Sequence, residues 1–286
     1  MGCYVVSEDI CVLLDDWAQR RGFTAPAENF FRELRQAMKN QLAKIFGAVE
    51  FVPAAALSDG LDALAKRHPW PVVSLDKSYF FGRWQLEINR AVDARLNDQP
   101  DQPRFGCQSV EKQINVLRRA GLKVVTLVDD VIFTGQALAK LLHQLQRAGI
   151  EVETAIAGIA IKDGIRHLNQ HGLEVEAVCV FEEVVDEICE RDFYPGVPYC
   201  GRLVTNQMVE TGAPYLLPFG QPQKWASIPL EHCAKFSRFC LEQSLELWRE
   251  IERRSGRPVL CSDLSRRPLG APLDGYRFAD YLGSLL

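Results

Sequence analysis

Two adjacent carboxylates, Asp129 and Asp130, follow the apolar, β-branched run Lys123–Val128 and stand just ahead of a small loop ending in Thr134-Gly135. The stretch reads Val124-Val125-Thr126-Leu127-Val128-Asp129-Asp130-Val131-Ile132-Phe133-Thr134-Gly135-Gln136-Ala137-Leu138, and an amphipathic helix opens at Gln136. Free main-chain N–H groups in such a loop and in the first helical turn form a cradle for an anion, to which the helix dipole adds. Gly135 permits close backbone approach, and carboxylates accept hydrogen bonds from hydroxyls. An anion in the cradle with hydroxyls on the acids describes a sugar phosphate. Successive strand residues point to opposite faces, so both acids reach one ligand only if the strand has already turned. No lysine follows the glycine, so the nucleotide-binding pattern GxxxxGK(S/T) is absent. The same residues allow two other readings: Asp130 as the cap of the next helix, or the acidic pocket of a receiver domain. Receiver domains carry their pair on the first strand, whereas strand-like segments precede Asp129 here.

These residues need a scaffold, and the surrounding pattern supplies one. Strand-like runs at Val49–Val52, Pro71–Leu75, Lys123–Val128, Glu151–Ile161 and Glu174–Phe181 alternate with helical stretches, which predicts an α/β fold with a parallel sheet of βα units. Ligands of such sheets bind beyond the carboxyl ends of the strands, where the acid pair falls. Pro53–Gly60 reads as a loop opening onto a helix at Leu61–Arg67, and Trp84–Leu96 as helix-like. Asn97–Gly106 reads as a polar, proline-bearing loop and a mobile segment. The first 46 residues read as two helices, with Ser7-Glu8-Asp9 as cap and acidic first turn. From about Arg191 the chain is proline-rich and irregular, then forms one long amphipathic helix carrying Cys233, Phe236, Cys240, Leu247, Trp248 and Ile251 on one face. The predicted organisation is a helical addition over 1–48, an α/β core over 49–190 and a C-terminal extension over 191–286, the last a hood or partner surface.

Composition narrows the function classes. Of 286 residues, 47% are hydrophobic and 24% charged, enough for a sizeable core. The net charge of −4 gives no global basic field, which disfavours nucleic acid as a partner. The nine cysteines form no CxxC pair, and no His/Cys cluster has zinc spacing. Acidic residues inside the first apolar stretch argue against a signal peptide, and no apolar run is long enough to span a bilayer. Reduced thiols and a cytoplasmic location are the expectation.

The run Val124–Leu138 closely resembles the signature of type I phosphoribosyltransferases: an apolar strand, two acids, two apolar residues and a loop with Thr-Gly. Its Phe-Thr-Gly variant looks most like the uracil-linked regulator of pyrimidine operons in that superfamily. The resemblance covers Val49–Phe181 and implies a type I phosphoribosyltransferase-like core, with N-terminal helices and a C-terminal irregular and helical extension. It implies transfer of ribose 5-phosphate from phosphoribosyl pyrophosphate to a nitrogenous base or amine, with pyrophosphate released. Asp129 and Asp130 would hold the ribose 2- and 3-hydroxyls, and Val131, Ile132, Phe133, Thr134, Gly135, Gln136 and Ala137 would form the phosphate loop. Ala137 departs from the family, which usually has Thr or Ser there; a lost hydroxyl contact costs roughly 0.5–1.5 kcal/mol. On the pyrophosphate side the resemblance points to Ser58 and Gly60, to Lys77, and to Arg104 in a loop closing over the reaction. Arg191 and Asp192 faintly resemble residues near the base in purine-salvage members, and also read as a simple salt-bridged turn. Magnesium is implied as cofactor, bound through the ligand and through Asp129 or Asp130 rather than by a dedicated cage, and a homodimer as the assembly. The alternative is a non-catalytic regulator on the same fold that senses a phosphoribosyl ligand, with RNA binding as a further variant.

Overall fold

Apolar runs and amphipathic stretches separate cleanly over residues 110–181, and each takes the element its periodicity dictates. The structure, a computed structural model, describes residues 2–273 and 275–286. In chain order the elements begin β1 (Cys3–Ser7), α1 (Ile10–Arg21), α2 (Glu28–Phe46), β2 (Val49–Val52), α3 (Ala54–Ala65), β3 (Val72–Ser74) and β4 (Trp84–Gln85). Next come β5 (Ile88–Val92), β6 (Asp98–Pro103), α4 (Val110–Arg119), β7 (Val124–Ile132), α5 (Gln136–Arg147), β8 (Glu151–Ile161), α6 (Lys162–Gln170) and β9 (Glu174–Phe181). The chain closes with β10 (Val184–Cys189), β11 (Arg202–Val204), β12 (Thr211–Ala213), α7 (Pro222–Trp225), α8 (Leu230–Ser255), β13 (Arg267–Pro268) and α9 (Phe278–Gly283).

One unit comprises Val52–Asn89 and Asp101–Val184. Its five-stranded sheet has the order β4-β3-β7-β8-β9, and every pair of neighbours in it is parallel. The predicted parallel α/β sheet is therefore present. β7 is central, and Val125, Leu127 and Val128 are buried as an unbroken apolar run requires. Leu138, Leu141, Leu142 and Leu145 of α5 pack in the same cluster as Val125, Leu127 and Ile132. Gly158 of β8 lets strand and helix layers close up: a Cβ there would lie 2.9 Å from the Asp130 carbonyl oxygen and 3.3 Å from Leu57.

The second unit comprises Cys3–Phe51, Arg90–Pro100 and Val185–Leu286. The helical addition expected over 1–48 and the extension expected over 191–286 both contribute to one hydrophobic cluster. Trp17 and Trp248 meet edge to face in it at 5.3 Å, and Met38, Phe193, Phe236 and Phe278 are buried there. Phe219 and Trp225 belong to this cluster too, which gives both a packing role. The predicted long amphipathic helix is α8, closed by Gly256 in the left-handed region.

The departures from the sequence expectation fall mostly before Ser109. The first residues form a strand, β1, before any helix, and Asp9 precedes α1 without capping it by its side chain. Pro53–Gly60 is not a loop, because α3 starts at Ala54. Trp84–Leu96 is not helical: it holds β4, β5 and a turn, and the alternation of Trp84, Leu86 and Ile88 is the period-two signal of a strand. Asn97–Gly106 is not a loop throughout, since Asp98–Pro103 forms β6. β6 lies at the edge of its sheet, the position at which proline is tolerated because no inward N–H is needed. Asp93 builds the preceding turn, accepting from the amides of Arg95 at 2.8 Å and Asn97 at 2.9 Å. No helix among the described residues is long and apolar enough to cross a membrane.

Candidate functional site

The site is assembled in the first unit at the carboxyl ends of β3 and β7. Strand register brings their trailing residues together: Val72, Val73 and Ser74 pair with Thr126, Leu127 and Val128. Leu75 N–H continues the ladder to the Val128 carbonyl at 2.8 Å. Extending that register puts Asp76 abreast of Asp130.

β7 does not turn before the acid pair but runs on to Ile132, so Asp129 and Asp130 leave consecutive extended positions. Their carboxyls nevertheless act on each other electrostatically. Asp129 Oδ1 also accepts from the Asp130 amide at 3.0 Å. Burial pushes the Asp129 carboxyl well above the usual carboxylate range, and the negative charges of Asp130 and Asp76 push it in the same direction. Asp76 is buried and likewise raised, first by burial and then by Asp130. Its partial compensation is local: Oδ1 accepts from Ser78 N–H at 2.7 Å, and Oδ2 from Tyr79 and Phe80 N–H at 2.7 and 2.6 Å. Asp76 was not among the sequence candidates, although it lies in the polar group that ends its strand. The charges acting most strongly on Asp129 are thus negative, and the cluster is poised for hydroxyl donors or a cation.

Beyond β7 the loop is shaped by two glycines. Gly135 sits at φ +72° as the N-cap of α5, and no side chain caps that helix. A Cβ on Gly135 would lie 2.9 Å from Leu168 Cγ and 3.0 Å from the Gly164 carbonyl oxygen. Gly164 of α6 packs reciprocally, since its Cβ would lie 2.4 Å from the Phe133 carbonyl oxygen. Loop and helix are therefore pressed together with no room for side chains, and left-handed backbone at 135 favours glycine on its own account. Thr134 is exposed, with Oγ1 accepting weakly from the Gln136 amide at 3.4 Å. Gln136 and Ala137 are exposed in the first turn, Val131 and Phe133 are half-buried, and Ile132 is buried in the core.

The other predicted residues divide sharply. Ser58 and Gly60 lie inside α3 rather than in a loop: Ser58 Oγ donates to the Tyr79 carbonyl at 2.6 Å, and a Cβ on Gly60 would lie 2.4 Å from Val178. Both serve packing around the Asp76 loop and β9. Lys77 and Arg104 do come together, on a residue the sequence did not single out. The Lys77 ammonium meets the carboxylate of Glu87, which Arg104 Nε reaches at 3.2 Å. Arg191 and Asp192 belong to the second unit. Arg191, in the turn Glu190–Phe193, pairs with Asp9, and Asp192 is buried and accepts from Gly201 N–H at 2.7 Å. Burial raises Asp192, against the lowering effect of Arg191. Among the described residues, no three His, Cys, Asp or Glu side chains are grouped to hold a metal ion by themselves.

No known protein family's model matches the chain. No curated protein matches it either. Solved structures do match part of it. Orotate phosphoribosyltransferase from Aeropyrum pernix is 16% identical over 44% of this chain and 68% of its own, with a TM-score of 0.25. The Mycobacterium tuberculosis orotate phosphoribosyltransferase in complex with 5-phospho-alpha-D-ribosyl 1-diphosphate is 14% identical over 44% of this chain and 72% of its own, with a TM-score of 0.28. Adenine phosphoribosyltransferase from Thermoanaerobacter pseudethanolicus is 15% identical over 43% of this chain and 79% of its own, with a TM-score of 0.30.

Proposed function

We propose that the chain is a phosphoribosyltransferase: it binds phosphoribosyl pyrophosphate at the end of β7 and passes ribose 5-phosphate to a nitrogen nucleophile. The observation that carries this reading is the pairing of two unlike features on one strand end. The uncapped start of α5, shaped by Gly135 and Gly164, offers main-chain N–H groups to a phosphate. One loop away, Asp129 and Asp130 stand with Asp76 in an acidic cluster whose members repel one another. A phosphate alone would need the first feature and be repelled by the second, whereas a phosphorylated sugar uses both.

In the proposed reaction the bond from ribose C1 to the pyrophosphate oxygen breaks, a C1–N bond forms, and the nucleophile loses a proton. Phe133–Ala137 hold the 5-phosphate, with the exposed Thr134 hydroxyl as a further donor. Asp129 and Asp130 accept from the ribose hydroxyls and hold the ring in place. Their negative field also favours the positive charge that develops at C1 as the leaving group departs. The acid cluster fits a divalent cation in charge but not in number of ligands. Magnesium would therefore be held mainly by pyrophosphate oxygens and water, with Asp129 or Asp130 at its periphery, and would neutralise the leaving group. Lys77 and Arg104 form the cationic side facing departing pyrophosphate.

The test is direct. Incubation with phosphoribosyl pyrophosphate, magnesium and a panel of purines, pyrimidines and amines should release pyrophosphate with one acceptor class. Absence of both release and ligand-dependent thermal stabilisation contradicts the proposal.

A further inference from the structure

Lys77 and Arg104 are the sequence-predicted cations of the site, and both are engaged by the same carboxylate. Glu87 Oε1 meets the Lys77 ammonium, which also meets Gln85, and Glu87 Oε2 lies 3.2 Å from Arg104 Nε. Arg104 is further steadied by the Asn89 side chain at 3.3 Å and the Leu75 carbonyl at 3.4 Å. All three charged side chains are largely buried, at 14%, 14% and 22% exposure for Lys77, Arg104 and Glu87. The Glu87 backbone is fixed independently of its side chain. Its N–H donates to Gln113 Oε1 at 2.7 Å, and its carbonyl accepts from Gln113 Nε2 at 3.2 Å and from Arg104 N–H at 3.0 Å.

This arrangement is a two-cation anion site already filled by an anion of the chain itself. Lys77 directly follows Asp76, so the cluster borders the acid site at the ends of β3 and β7. A carboxylate carries at most one charge and two oxygens, and here both oxygens are committed to cations. A pyrophosphate group offers more of both, so it can displace the carboxylate, though only against the ion pairs already made. Resting on the phosphoribosyl reading above, the geometry points to Glu87 as an internal stand-in for pyrophosphate, one that occupies Lys77 and Arg104 in the free chain and sets how tightly they hold a polyanion. The residue is thereby a specificity element: a monoanionic group fails to displace it, whereas a pyrophosphate succeeds. The Gln113 clamp makes the device local, because Glu87 can swing its carboxylate away without moving its backbone.

Calorimetric titration with inorganic pyrophosphate tests this on the full chain, comparing wild type, Glu87→Gln and Lys77→Met/Glu87→Gln. Glutamine keeps the size of the side chain, and the Gln113 contacts use only the backbone, so the fold is retained; a thermal melt checks it. Glu87→Gln should bind pyrophosphate about 10-fold more tightly than wild type, and the double variant should lose that gain. In the melt, Glu87→Gln alone should be less stable and be restored by pyrophosphate. Unchanged or weaker pyrophosphate binding in Glu87→Gln, or no binding to either protein, overturns the inference and makes Glu87 a strut for the two cations. Ribose 5-phosphate titrated in parallel separates the two proposals: it should bind wild type and Glu87→Gln equally. Its failure to bind either strikes the phosphoribosyl reading, whereas the pyrophosphate comparison reads Glu87 alone.

Discussion

Buried and half-buried acids occur in both units, and their partners differ. In the second unit each of several has an arginine. Glu190 is fully buried and accepts from Arg35 Nε at 3.0 and 3.1 Å, Asp9 pairs with Arg191, and Glu252 pairs with Arg277. In the first unit Asp76, Asp129 and Asp130 are set against one another, with main-chain amides as the compensation for Asp76 and Asp129. Matched acids hold a core together. Mutually repelling acids at a strand end are what the proposed function uses, because a ligand bound there would relieve what the fold leaves uncompensated.

The comparison breaks most readily at Arg35. Arg35→Ala leaves Glu190 buried without its cation, which should cost about 3–5 kcal/mol in denaturant unfolding. A loss under 1 kcal/mol would mean that the ion pairs of the second unit are no more structural than the acids of the first. Gly135→Ala has a smaller expected effect. Left-handed backbone and the contact with the Gly164 carbonyl should together cost about 1–2 kcal/mol, and phosphate affinity should fall with the distorted loop. Unaltered stability and affinity would show that the loop is not pressed against α6.

The dependence on pH sharpens the same contrast more gently. Asp9 is raised to about 7, first by burial and against the pull of Arg191. Its carboxyl therefore keeps a proton in the folded chain over a range in which the unfolded chain, near 3.8, has lost it. The folded state binds more protons between those values, so stability falls as pH rises through the window. The contribution of one such group is at most about 1.4 kcal/mol per pH unit. Asp9→Asn should flatten that slope in melts taken between pH 4.5 and 7. An unchanged slope assigns the dependence to other buried acids.

Much of the first unit was legible because its signals are local. The unbroken apolar run of β7, the glycine stops and the helical periodicity of α5 each act over a few residues, and so does the acid pair with its Thr-Gly loop. Asp76 was less visible, because its meaning lies in register with Asp130 across two strands. Glu87 carried no signal at all, since it matters only through convergence with Lys77 and Arg104 from separate segments. β6 was hidden by Pro100 and Pro103, whose cost vanishes at a sheet edge. Ser7-Glu8-Asp9 resembled a helix cap because such caps are local. The actual partner of Asp9 is Arg191, 182 positions away.

The central claim is that the acid pair grips the sugar of a phosphoribosyl ligand without supporting the fold. Calorimetric titration of phosphoribosyl pyrophosphate with magnesium into wild type and Asp129→Asn/Asp130→Asn measures this, with a thermal melt of each protein. The account predicts at least about a 100-fold loss of affinity in the variant, whose melting temperature is unchanged or raised because repulsion is removed. A variant that binds the ligand as tightly as wild type, or that unfolds, contradicts it.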